Sequence, residues 1–136
     1  MPMDKLHGRI LTPEAAWAAL RSVGARPGDL CCIEAIATRP GESPQAAATA
    51  TANHATWVRA CTDYGLVVSV KSTSRLDRLA GLPGGGARKT RVILWCHDQF
   101  PDLDLTPGRR TAPHDGMADA VLFAFAALRT VRAIDN

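Results

Sequence analysis

The stretch His114–Leu128, "HDGMADAVLFAFAAL", is apolar on nearly every side of a helix and carries a single carboxylate beyond its opening residues, Asp119. A helix that is apolar all round belongs in a core. A charge placed there is costly unless something pairs with it. Whatever this chain folds into must therefore bring a partner to Asp119.

The rest of the chain supplies elements to pack against that helix. "LTPEAAWAALRSVGARPGD" opens a helix, with Thr12 as N-cap, Pro13 at the first position and Glu14 at the positive end of the dipole. Ala16, Leu20 and Val23 form its apolar face, and Gly24 is its expected stop. "DLCCIEAIA", Asp29 to Ala37, reads as a short strand apolar on both faces, hence central and doubly covered, broken only by Glu34. After the loop "TRPGESPQ", Ser43 and Pro44 repeat the cap-and-proline signal for a long helix to Tyr64. Ala46, Ala47, Ala50, His54, Trp57, Val58 and Cys61 lie on one of its faces, and Gly65 ends it. "LVVSV" is a second buried strand, Ser72 to Leu79 a short helix, and Arg88 to Phe100 another beyond the glycine loop "GLPGGGARKT". This order predicts an α/β fold in one domain over residues 1–136, with a short, parallel central sheet and packed helices. Two strands make a thin sheet.

Several chemistries are excluded by spacing. Gly81 and Gly86 have the separation of a phosphate loop, but Gly86-Ala87-Arg88-Lys89-Thr90 lacks the Gly-Lys-Ser/Thr ending, and a helix precedes it. Cys31, Cys32, Cys61 and Cys96 make no zinc pattern, with or without His97 and His114, and fit reduced thiols of a cytoplasmic protein. Nothing local activates a thiolate beside His54 or His97. No apolar run approaches a membrane span and no N-terminal signal is visible, so a membrane role is not expected. The net charge is only +3, yet Lys71, Arg75, Arg78, Arg88, Lys89, Arg91, Arg109 and Arg110 crowd the middle against Asp77, Asp98, Asp102 and Asp104. That distribution is compatible with phosphate contacts and equally with a solvated surface.

Glu34 and Asp119 are each the sole charge in an otherwise apolar element, and Asp115 lies one helical turn before Asp119. If the strand and helix cross, these carboxylates converge, which requires a cation between them or partial protonation. Three converging carboxylates suit a hard divalent metal. Plainer alternatives stand beside that reading: Asp115 as a helix N-cap, Glu34 paired with an arginine, Asp119 hydrogen-bonded to a backbone end.

Taken together, these stretches resemble the RuvC-like Holliday junction resolvases, in particular the compact versions carried by phages. "CIEAIATRPGESPQAAATATANHA" resembles the family's strand with its second catalytic acid, loop and long helix. "VVSVKSTSRLDRLAGLPGGGARKT" is similar to the next strand, short helix and glycine turn, and "PHDGMADAVLFAFAAL" to the closing acidic helix. The ordered set covers about Leu30 to Leu128. The resemblance implies a ribonuclease H-like fold, truncated here, and a homodimer on branched DNA in a bacterial cytoplasm, phage- or prophage-encoded. It also implies Mg²⁺- or Mn²⁺-dependent phosphodiester hydrolysis. Glu34, Asp115 and Asp119 would be the catalytic and metal-holding acids, and Arg39, Lys71, Arg75, Arg88, Lys89 and Arg91 would contact DNA. The family opens with a strand hairpin carrying a further Asp, whereas "MPMDKLHGRILTPEAAW" resembles the segment after that hairpin and offers only Asp4. Three functions are expected from this reading: a structure-specific endonuclease, a degenerate resolvase that binds branched DNA without cutting, and a module that binds a protein partner.

Overall fold

The computed structural model describes residues 10–37, 40–108 and 111–135, so Asp4, Arg39, Arg109 and Arg110 lie outside the described residues. The elements run α1 (Pro13–Ser22), β1 (Leu30–Glu34), α2 (Pro44–Tyr64), β2 (Val67–Lys71), α3 (Thr73–Ala80), α4 (Arg88–Gln99) and α5 (Asp115–Asp135). The fold is mixed α/β, with β1 and β2 forming a two-stranded parallel sheet. The chain divides into two compact units, one ending at Val70 and one beginning at Lys71.

In the first unit the sequence signals act where they stand. Thr12 Oγ1 accepts from the Ala15 amide (3.1 Å) and Ser43 Oγ from the Ala46 amide (3.1 Å), each followed by proline at the first helical position. α1 packs on α2 through Leu11, Ala15, Ala16 and Ala60, with Trp17 and Trp57 against them. The Trp17 indole donates to the Ala60 carbonyl at 3.1 Å, and the Leu11 amide to Asn53 Oδ1 at 2.8 Å. Small residues at 15, 16 and 60 let the two backbones approach, and the tryptophans fill the margins.

The end of α2 sets the strands side by side. Gly65 is left-handed (φ 97°) and closes a Schellman-type cap, its amide donating to Thr62 and the Leu66 amide to Cys61. The Gly65 carbonyl accepts from Gly28 at 2.8 Å, and the Tyr64 hydroxyl donates to the Ala25 carbonyl at 2.8 Å. The Val67 amide then donates to Asp29 at 2.8 Å, where the ladder begins. β1 is shorter than its sequence suggests, ending at Glu34, and both strands are less covered: Leu30, Val67 and Val70 are 41%, 57% and 44% exposed. A ladder of two strands is edge on both sides, so an apolar composition alone does not bury it. Toward α2, Cys31 reaches Cys61 and the Glu34 carbonyl meets His54.

In the second unit α5 packs against both α3 and α4. Ala118, Leu122 and Ala126, four residues apart, are fully buried. They meet Leu76 and Ala80 of α3, and Val92, Trp95 and Cys96 of α4, as the buried faces of those helices. Trp95, Phe100 and Phe125 form an edge-to-face cluster with centroids 5.2–6.2 Å apart. Although α5 is apolar nearly all round, its burial is a stripe: Leu128 is exposed, as are Ala120 and Ala124.

Gly65 offers a sharp test of the first unit. A Cβ there would stand 3.0 Å from Pro27 Cβ in a left-handed conformation. Gly65→Ala is expected to cost about 1–3 kcal/mol, read as a lower urea midpoint with an unchanged slope. Gly84→Ala, with open space around it and φ in the ordinary range, is expected to leave the midpoint within about 0.5 kcal/mol.

Candidate functional site: a carboxylate cluster closed by arginine

Asp119 finds its partner at the first residue of α4. Arg88 Nη1 donates to Asp119 Oδ1 at 2.9 Å. The same guanidinium grips Asp77 of α3 with two further bonds, Nε to Oδ2 at 2.8 Å and Nη2 to Oδ1 at 2.9 Å. Planar, forked geometry lets one arginine serve two carboxylates in this way, where an ammonium would serve each less specifically. The side chains are 29% (Arg88), 17% (Asp77) and 33% (Asp119) exposed. The group therefore sits at the margin of the core, and Asp119 is not the fully buried charge that its helix suggests.

The site is built by local sequence. Ser72 Oγ accepts from the Arg75 amide and starts α3, placing Leu76 inward and Asp77 beside it. α4 begins without a side-chain cap, and its first two residues are the cations Arg88 and Lys89. Positive charge at a helix N-terminus is unfavourable against the helix dipole. Carboxylates from the neighbouring helices offset it: Asp77 and Asp119 on Arg88, and Asp115 on Lys89 Nζ at 3.1 Å. Hydrogen bonding to Asp77 holds the Arg88 guanidinium even further above its ordinary range; burial opposes this and Asp119 adds to it.

Asp115 occupies the first helical position of α5 rather than the cap. His114 caps that helix, its Nδ1 accepting from the Met117 amide at 3.2 Å, with the ring nitrogens so assigned by the bond. Lys89 holds the Asp115 carboxyl below the usual carboxylate range. Glu34 ends β1, where its carbonyl accepts from His54 Nε2 at 2.9 Å. Glu34 belongs to the first unit, Asp115 and Asp119 to the second. Among the described residues no group of three or more His, Cys, Asp or Glu side chains gathers as metal ligands. The pair that does converge on one point is Asp77 with Asp119, and Asp77 is absent from the acids singled out by pattern. Its signal in sequence is slight: it is the one acid among Lys71, Arg75 and Arg78.

Of the expected DNA-contacting cations, Arg88 is engaged by Asp77 and Asp119, and Lys89 is mostly exposed beside Asp115. Arg75 is exposed, Lys71 half-buried at the end of β2, and Arg91 Nη1 donates to the Pro83 carbonyl at 2.8 Å. Arg78, on α3, is exposed as well. Charge is divided unequally along the chain: residues 1–70 balance six Lys or Arg against six acids, whereas residues 71–136 carry ten against seven. Two of the thiols are quiet. Burial, then the neighbouring Cys61, pushes the Cys31 thiol up to about 12, and Cys96, fully buried, is raised by burial and by Asp119. Neither is a thiolate at neutral pH.

A scan against protein-family models matches none of them to this chain, and no curated protein matches it.

Two substitutions test the cluster. Arg88→Gln leaves two neighbouring carboxylates without their shared cation and is expected to cost about 1–3 kcal/mol, measured by urea unfolding at pH 7. Lys89→Gln is expected to bring the Asp115 carboxyl up toward the ordinary value of about 4, followed by carbon-13 NMR titration. The sign of its pH effect is fixed by that depressed value. The stabilisation from Asp115 is complete above the unfolded-state pKa and is lost as the pH falls through the lower folded one.

Proposed function

We propose that this chain is a resolvase-like protein that binds branched DNA through its second unit without cutting it. The observation that carries this reading is the Arg88 bridge. The acid that the family resemblance assigns to metal is already neutralised by a cation of the chain's own, one shared with Asp77. Lys71, Arg75 and Arg78, together with Lys89, mostly exposed although paired with Asp115, are the cations for phosphate, in the unit that carries the positive excess. Among the described residues no helix is long and apolar enough to cross a membrane. A homodimer belongs to the same proposal: the apolar residues Leu30, Val67 and Val70 stand exposed along a two-stranded ladder that a second copy would cover.

A second reading, the divalent-metal endonuclease, is favoured by the convergence of Asp77 and Asp119 on one point. Their hard carboxylate oxygens suit Mg²⁺ or Mn²⁺ in donor type. They would hold such an ion only with Arg88 withdrawn, and the ion would supply an activated water and stabilise the leaving oxygen. Asp115, one helical turn before Asp119, would join them under the family resemblance.

The two readings separate on a labelled four-way junction, with linear duplex as control, in Mg²⁺ and in Mn²⁺. The expected result is a gel shift without cleavage, unaffected by Glu34→Gln or Asp119→Asn. Contacts from these four cations predict an affinity that falls with salt at a log–log slope of about −3 to −4. Cleavage abolished by Asp119→Asn would establish the endonuclease instead. Loss of both cleavage and binding would overturn both readings. Sedimentation at micromolar concentration is expected to show a dimer, and a monodisperse monomer would overturn that part.

A further inference from the structure

Beside the carboxylate cluster, and outside it, the second unit contains a cavity of about 420 Å³ between the glycine loop and α4. Its wall on one side is a single helical stripe, Arg91, Leu94, Trp95, Asp98 and Gln99, spaced i, i+3, i+4, i+7, i+8. Facing it are Pro83 and the bare backbone of Gly81, Gly84 and Gly85. A volume of this size is that of a small-ligand site. Its chemistry is mixed in a particular way. Leu94, 62% exposed, and Trp95 give an apolar wall, and the rim carries a guanidinium donor, a carboxylate acceptor and an amide that does both.

Two further observations concern the arginines. Arg91 ties the loop down through the Pro83 carbonyl, yet its buried Nε has no hydrogen-bond partner. A buried N–H left unpaired marks an arrangement open to improvement by a shift of that side chain. Arg129, stacked 5.7 Å above the Phe125 ring, brings Nη1 within 3.6 Å of the point where a Cβ on Gly81 would stand. Cations thus lie on the helix wall and behind the loop. An apolar wall with donors and acceptors beside it and cations about it complements a heterocycle bearing an anionic group.

We propose that this cavity binds one unpaired nucleobase with its 5′-phosphate. The base would lie against Leu94 and Trp95, with Asp98 and Gln99 meeting its hydrogen-bonding edge and Arg91 the phosphate. Stacking on an apolar wall is tolerant of sequence, so the site would sense an unpaired nucleotide rather than a particular base. The inference rests on the DNA-binding reading for its biological sense, since forks and flaps of branched DNA carry unpaired nucleotides. Its chemistry is testable without that reading.

The probe is deoxyadenosine 5′-monophosphate, observed by saturation-transfer NMR against wild type, Gly84→Phe and Leu94→Asp. Gly84 lines the cavity and has nothing within 4 Å of a Cβ, so a phenyl ring at its mouth is added without a clash at the Cβ. Leu94→Asp places a repelling charge at an already exposed position. Circular dichroism melting confirms that each variant folds. The expected result is binding by wild type at millimolar strength or better, reduced at least tenfold in both variants. No binding by wild type, or binding that persists unchanged in folded Gly84→Phe, overturns the proposal. The junction gel shift is read separately. A shift without mononucleotide binding overturns only this inference, and mononucleotide binding without a shift overturns only the DNA-binding proposal.

Discussion

One guanidinium organises the second half of this molecule. Arg88 makes three hydrogen bonds to carboxylates on two other helices, so α3, α4 and α5 meet electrostatically at the point where α4 begins. The apolar contacts around it, Leu76, Val92, Ala118 and Leu122, draw the helices together without specifying their rotation. The arginine fork supplies direction. It also resolves an awkward start: a helix opening on two cations with no side-chain cap is acceptable here because three carboxylates from its neighbours stand against that end.

The same interaction underlies the proposed function. A carboxylate in an apolar helix has few stable fates: protonation, a metal, or a basic side chain. Asp119 takes the third. An internal cation has the same sign as a divalent metal but offers no open coordination position and activates no water. A fold that replaces one by the other keeps its shape and its acids while changing what they do. That is the physical basis for preferring a binding role over turnover.

Much of this is legible in the sequence alone. Thr12-Pro13, Ser43-Pro44 and Gly65 mark helix boundaries because capping and left-handed φ depend on local chemistry. The demand that Asp119 be paired is equally visible, and so is the idea that an arginine can satisfy a lone acid, although the pattern attaches it to Glu34. The identity of Asp119's partner is not legible. Arg88 lies 31 residues away and Asp77 a further 11 before it, and neither carries a periodic signal in its own helix. Strand burial escapes the sequence for a related reason: "LCCIE" and "VVSVK" have the composition of covered strands, but cover depends on what else the chain brings to each face. The finer assignment to a ribonuclease H-like architecture goes beyond the mixed α/β fold and its parallel strand pair.

The register of α5 carries a consequence for how this sequence can drift. Ala118, Leu122 and Ala126 form the buried stripe, while Asp115 and Asp119 each lie at a three-residue or one-residue offset from it, on an adjoining line of the same cylinder. One residue inserted or deleted between the two turns would rotate everything beyond it by about 100°. Packing and charge pairing would then fail together, since no rotation restores one without losing the other. Replacement of side chains is open to this helix at its outer positions, Ala120, Ala124 and Leu128, but a change in its length upstream of Leu122 is closed.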